Sequence, residues 1–387
     1  MSNSWTWNPF GTQQNESNPD IELLKTEVGK HFPFYDMRYD AKTAAFFCKV
    51  EKETLEEKFD SLRKSLSEEG FIPMLKYENG EHIIYIIKKP KRKEKPIWYN
   101  YALLIATIIT TIITGSIVYM GQFAMYNENF EVLIPNLMDI FSIENLFFGA
   151  VLFALPLMTI LIVHEMGHYL ISKKHGISTS LPYFLPIPPI LPSFNIGTFG
   201  ALIHSRDPMP NKKALLDVGI SGPAVGFLVA IPVTAIGIAT AKVIPNVPAT
   251  SGQTVFGSSL LIDILMRGIL NLPEGFTIEM NPILFAGWVG LLITSINLLP
   301  AGQLDGGHIF RAVLGDKQKY AGWAAIFIMI FTGWLFFAIV ILFLIGMRHP
   351  PPLNDDTELD MKRKLLFFVA ILILILCFIP YPIYSLP

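Results

Sequence analysis

From Leu146 to Val163 the chain carries no charged side chain, and the apolar run continues through a short polar patch to Ser172. A run of about 18 or more such residues is long enough to cross a bilayer. Comparable runs lie at about 97–122, 214–242, 281–298, 320–346 and 365–383. The chain is 51% hydrophobic and only 16% charged, where soluble domains run nearer a quarter charged. A polytopic α-helical membrane protein with about six transmembrane helices is therefore expected. The net charge of −2 and scattered basic residues give no argument for nucleic acid as a partner.

The polar patch in that run is His164-Glu165-Met166-Gly167-His168. Histidines four residues apart lie about 40° apart around a helix axis, so both can reach one metal ion. The glutamate beside the first can take a proton from a zinc-bound water. A catalytic zinc usually has three protein ligands and a water. Asp305 is the candidate third ligand: it is ionisable, and it sits where the fourth apolar run breaks at Pro300 and the backbone turns glycine-rich.

Residues 1–19 are polar and rich in Pro and Asn, and are expected to be a disordered lead-in without the pattern of a signal peptide. Residues 20–95 read as a small α+β domain. A helix capped by Asp20 runs to Gly29, and strands Phe34–Tyr39 and Ala45–Glu51 flank a turn at Asp40. A helix Thr54–Glu69 places Leu55, Phe59, Leu62 and Leu66 on one stripe, and a hairpin follows around Asn79-Gly80. This unit could pair with itself or bind a protein partner through residues 20–90; no catalytic cluster is visible in it, and His31 and His82 read as ordinary surface or strand residues. Lys88, Lys89, Lys91, Arg92, Lys93 and Lys95 directly abut the first span, which puts the N-terminal domain in the cytoplasm by the positive-inside rule.

The membrane part, 96–387, alternates from there. The loop to Glu144 carries acids and no Lys or Arg, as an outer loop should, and Lys173-Lys174 return the second span to the cytoplasm. The metal motif would then lie in the membrane nearer the cytoplasmic face. Between spans two and three, Pro182, Pro186, Pro188, Pro189 and Pro192 exclude a helix in an otherwise apolar stretch. A re-entrant loop with an extended segment is expected there, able to receive a substrate as an added strand; a loop lying on the interface is the alternative. Asp217 is expected to face headgroups and His175 the interface. An amphipathic helix is expected at Phe256–Leu270. Six continuous spans place residues 347–363 outside, yet Arg348, Lys362 and Arg363 lie there, so the charge pattern conflicts with that count. An extra re-entrant element between Asp305 and Gly346 would remove the conflict.

His164-Glu-Met-Gly-His168 together with Asn297-Leu-Leu-Pro300-Ala-Gly-Gln-Leu304-Asp305-Gly306 resembles the paired motifs of the site-2 protease family of intramembrane zinc metalloproteases. Gly197-Thr-Phe199-Gly200-Ala201, Val218-Gly-Ile-Ser-Gly222-Pro223 and His349-Pro-Pro-Pro-Leu-Asn-Asp355 are similar to segments of its archaeal and plastid branch. The resemblance covers roughly residues 97–387. It implies one zinc ion held by His164, His168 and Asp305, with Glu165 as general base toward the zinc-bound water. It places Asn297 where the substrate or an oxyanion is hydrogen-bonded, and Gly197, Phe199 and Gly200 beside the substrate. It implies cleavage of a transmembrane protein near the cytoplasmic face of the cell membrane.

Competing readings remain. A metal transporter would explain buried His and Asp, but predicts ligand clusters spaced across the bilayer and an internal repeat. The sequence has one cluster and no repeat. A catalytically silent scaffold has no use for Glu165. His308 competes with Asp305 as a ligand, although the family pattern does not use it. His204 reads as structural, and His349 as part of a proline-rich turn without chemistry.

Overall fold

The computed structural model describes residues 21–40, 42–90, 95–124, 137–188, 196–245 and 254–385. The expected lead-in, the Asp20 cap, Lys91–Lys93 of the basic run and Pro189 and Pro192 of the proline string lie outside them. The chain divides into two compact units, one built from the N-terminal 95 residues plus 209–212 and 351–358, the other from the remainder.

In the first unit α1 (Ile21–His31) and α2 (Lys52–Glu68) cover one face of an antiparallel sheet ordered β1-β2-β4-β3, formed by β1 (Phe34–Tyr39), β2 (Thr43–Cys48), β3 (Phe71–Glu78) and β4 (Glu81–Lys88). Both helices start or end a residue or two from their expected bounds, and β2 closes at Cys48. The stripe of α2 is buried as expected, with Leu62 and Leu66 fully enclosed against Phe46, Leu75 and Ile84. The β3–β4 turn has Asn79 and Gly80 at φ 53° and 88°, the left-handed pair that a tight hairpin requires. The unit also gains backbone from far along the chain. Leu75 N donates to Leu353 O at 2.7 Å, Leu353 N to Met209 O at 2.8 Å and Asn354 N to Pro210 O at 2.9 Å. Two short segments thus extend the sheet beyond β3.

In the second unit three helices are long and apolar enough to cross a membrane: α3 (Trp98–Ala124), the run from 143 to 174, and the helix from Lys212 to Ala239. A short α4 (Leu137–Ile140) precedes the second. That run is α5 (Ile143–Gly149) and α6 (Leu155–Lys174) joined by one π turn, Ala150–Ala154. The π turn ends two residues before Pro156, whose missing N–H and bulky ring cannot fit an undisturbed α ladder.

Next come β5 (Tyr183–Pro186) and β6 (Thr198–Leu202), an antiparallel pair. This pair lies along α3: Asn100 Nδ2 donates to Leu181 O at 2.8 Å, and Thr110 Oγ1 to Gly197 O at 2.7 Å. The third long helix is α7 (Lys212–Ala239). Beyond it β7 (Val243–Pro245) pairs with β9 (Phe276–Ile278), and β8 (Thr254–Phe256) pairs with β10 (Ile383–Ser385). The amphipathic helix is shorter than expected, α8 (Leu260–Ile269), because Phe256 belongs to β8 and the Ser259 hydroxyl caps the helix by accepting from Ile262 N.

The fourth apolar run is α9 (Pro282–Asn297), ending at Pro300, and α10 (Asp305–Leu314) starts on the candidate ligand. The expected fifth span, 320–346, is not one helix. It is α11 (Gln318–Phe331) and α12 (Leu335–Val340), the latter prolonged by a π turn to Ile345. The chain reverses at Gly333, whose φ of 79° is open to glycine and costly for other residues. Tyr381 N donates to Thr332 O at 2.8 Å and Trp334 Nε1 to Ile379 O at 2.9 Å, fixing the reversal against the chain end. At the opposite end His349 N donates to Gln318 Oε1, so the two legs run antiparallel. The last helix, α13 (Met361–Cys377), starts at an Asp360 cap and stops short of Ile383, where Pro380 and Pro382 preclude continuation. Arg363 in its first turn pairs with Asp217, as does His175. Asp217 therefore binds both His175 and Arg363.

Candidate metal centre

Helix α6 carries His164, Glu165 and His168, all buried, and α10 brings Asp305 to them. His164 Nε2 and His168 Nε2 are 3.2 Å apart, Asp305 Oδ2 is 3.2 Å from His168 Nε2, and it is 3.4 Å from His164 Nε2. A tetrahedral ion with ligands at about 2.0–2.1 Å has ligand–ligand edges of about 3.3–3.4 Å. The near-equilateral triangle fits three ligands of one such ion. Among the described residues this is the one cluster of His, Cys, Asp and Glu so arranged.

The second helix of the site is α7. Val218 O lies 2.8 Å from His168 Nδ1. A carbonyl only accepts, so Nδ1 carries the proton and Nε2 turns its lone pair to the triangle. That contact needs the α7 backbone close to α6. A Cβ on Gly222 would lie 2.1 Å from His168 Nε2 itself, and one on Gly226 would lie 3.0 Å from His164 Nδ1. Gly222 therefore makes room for the ring and for whatever binds it.

Asn297, the last residue of α9, places Nδ2 3.4 Å from His164 Nε2. The structure thus gathers all five residues of the paired motifs: His164, Glu165, His168, Asn297 and Asp305. The β5–β6 pair is a different matter. β6 packs on α6, but Gly197 turns to Thr110 of α3 and Phe199 is 74% exposed. His308 is bonded to His349, at 2.9 Å, and His204 ties its backbone to Ser180.

The model of peptidase family M50 matches residues 152–341, a stretch that holds all five motif residues. The chain carries the domain of this family, the site-2 protease family. This M50 peptidase is 25% identical to the probable zinc metalloprotease EGY1, chloroplastic, of Arabidopsis thaliana, over 93% of its own length and 71% of that protein's. To the probable zinc metalloprotease EGY2, chloroplastic, of the same plant it is 30% identical, over 69% of its own length. The chain spans about half of EGY2, at 48%, and 37% of EGY3, a probable zinc metallopeptidase that is 28% identical. No solved structure matches it. It is a zinc metalloendopeptidase with the helices of a membrane protein.

Proposed function

We propose that this M50 peptidase is an intramembrane endopeptidase that hydrolyses peptide bonds of transmembrane protein substrates near the cytoplasmic face. The observation that carries the reading is the His164–His168–Asp305 triangle, assembled from one apolar helix and the start of another, with Glu165 and Asn297 beside it. Three ionisable side chains in apolar helices cost several kcal/mol each unless something compensates, and a shared zinc ion does so. His164, His168 and Asp305 would hold that ion. When bound, zinc supplies Lewis-acid activation of water and of the scissile carbonyl. Glu165, one residue from His164 and one helical turn from His168, accepts the proton of the attacking water and passes it to the leaving amine. Asn297 Nδ2 donates a hydrogen bond to the substrate carbonyl oxygen as it gains negative charge.

A helical substrate hides its carbonyls in its own hydrogen bonds, so it must be presented extended. The β5–β6 pair supports strand addition as the means. Among the described residues β6 pairs only with β5, and Gly197 is held by Thr110, twelve residues into α3, about 18 Å along that helix. This depth supports a re-entrant position for the pair, with Gly197, Phe199 and Gly200 next to the substrate. The long helices, the α11–α12 reversal and α13 support a bundle of six spans or more. Residues 20–95 form its cytoplasmic domain, which receives a protein partner, and 96–387 its membrane peptidase domain.

The test is co-expression with single-span membrane proteins, comparing the wild type with Glu165→Gln for an uncut substrate that accumulates. Cleavage undiminished in Glu165→Gln would sink the assignment of the base. A transporter is disfavoured because the described residues hold one ligand cluster rather than a series.

A further inference from the structure

His349 lies outside the metal triangle, yet its hydrogen bonds end on either side of Asp305. Its backbone N–H donates to Gln318 Oε1 at 3.3 Å, and Nε2 of the same glutamine donates to Pro300 O at 2.7 Å. Its ring Nε2 lies 2.9 Å from His308 Nδ1. Pro300 precedes Asp305 in the loop after α9, and His308 follows it in the first turn of α10.

Proton positions follow from the partners. Pro350 O lies 2.6 Å from His349 Nδ1, and a carbonyl only accepts, so Nδ1 bears the proton. Nε2 then offers a lone pair, and His308 Nδ1–H donates to it. His349 is 8% exposed and Gln318 2% exposed, so water is a poor substitute for either partner, and breaking the chain strands a buried polar group.

The need for such a brace is specific to Asp305. The two histidines ride a long, continuous helix, whereas Asp305 arrives at a junction between an irregular loop and a helix start. A ligand on such a junction keeps its geometry only through the groups that hold the junction.

We propose that His349 is a positioning residue for the metal centre. Through His308 and Gln318 it fixes the stretch from Pro300 to His308, and with it the direction in which Asp305 presents its carboxylate. The inference rests on the reading of His164, His168 and Asp305 as zinc ligands.

The test uses the full chain in detergent. The zinc dissociation constant is measured by competition with a chromogenic chelator, and the absorption spectrum is recorded with cobalt(II) in place of zinc. The expectation for His349→Ala is zinc binding weakened about tenfold or more, with shifted cobalt bands. His349→Gln, whose side-chain oxygen can accept from His308, should recover most of the affinity. A residue that merely stabilised the fold would lower the melting temperature while leaving the dissociation constant and cobalt bands unchanged, and that result overturns the proposal. Should His349→Ala fail to fold, Gln318→Ala carries the test: weaker zinc binding is expected, and wild-type affinity overturns the proposal. Asp305→Ala separates the two levels. If it binds zinc like the wild type, the ligand reading fails; if it loses zinc while the His349 and Gln318 variants keep it, only the positioning role fails.

Discussion

Arg363 donates from Nε and Nη2 to the two carboxylate oxygens of Asp217, at 2.9 and 2.5 Å. His175 Nε2 donates to the same Asp217 Oδ2 at 2.9 Å. A forked guanidinium–carboxylate pair fixes orientation as well as distance. The end of α6, the start of α7 and the start of α13 therefore meet at one end of the membrane unit. Lys173 and Lys174 lie at that end, and so do Lys362 and Lys364. The reversal at Gly333 makes this consistent, because it adds one more passage of the chain before α13. Single cysteines in place of Lys174 and Lys364 should then react with a membrane-impermeant maleimide from the same side of sealed vesicles. A cysteine in place of Thr332 should react from the other side. Opposite-side labelling of 174 and 364 would contradict the arrangement.

Glu165 is the group with no metal to hold, so its removal should separate binding from chemistry. In Glu165→Gln, hydrolysis of a reconstituted transmembrane substrate should fall by about 10²–10⁴-fold, the usual weight of a general base. Zinc content, measured by atomic absorption, should stay at the wild-type level. Loss of zinc together with activity would assign Glu165 a ligand role instead.

Gly222 sets how closely α7 approaches α6. The Cβ of an alanine would overlap the ligand nitrogen of His168, and the neighbours cannot yield without moving one helix. Gly222→Ala should abolish zinc retention through gel filtration, whereas Ala at Gly268, where a Cβ meets nothing within 4 Å, should leave it intact. Equal zinc content in the two variants would contradict the close approach.

Much of this was legible in the sequence for a physical reason. Periodicity and apolar length report local structure, so the helices, the Asn79-Gly80 hairpin and the His164–His168 pair could be read directly. The glycine-rich break at Pro300 marked Asp305 as a ligand candidate. What stayed hidden was long-range. Nothing local ties Asp217 to Arg363, or His349 to His308, and the basic residues at 348, 362 and 363 called for an extra element before them without locating a reversal inside 320–346. Leu353 and Asn354 look like a proline-rich linker, and their pairing beside Leu75 depends on a strand far away in sequence.

Within the N-terminal unit, Glu27 accepts from the Lys30 ammonium and the Ser65 hydroxyl. These bonds, Lys30 first, hold its carboxyl below the ordinary 4.5. A depressed folded-state pKa gives stability that is full above the ordinary value and is lost as pH falls through the lowered one. Lys30 is more than half exposed, so solvent weakens the pair. Glu27→Gln should cost roughly 0.5–1 kcal/mol at neutral pH, with the difference from wild type shrinking as the pH drops below 4.5. Hydrogen exchange at the amides of α1 and α2 measures it; a penalty that grows on acidification would reverse the sign and refute the account.

Cys48 offers a second probe of the same unit. It is 4% exposed, its Sγ–H points to Phe46 O at 3.5 Å, and burial pushes the thiol up to about 12. The thiolate is the species that alkylates. At pH 8 a free thiol with a pKa of about 8.5 is about one quarter ionised, whereas a pKa of about 12 leaves roughly one part in ten thousand. In a Cys377→Ala background, alkylation of Cys48 by iodoacetamide should therefore be at least about a thousandfold slower than that of a free thiol. Denaturant should restore the ordinary rate once the sheet opens, because opening removes both the burial and the steric block. The rate should then follow the unfolding of α2 and β2 seen by hydrogen exchange. Modification of the folded protein at the rate of a free thiol would show that β2 does not bury Cys48.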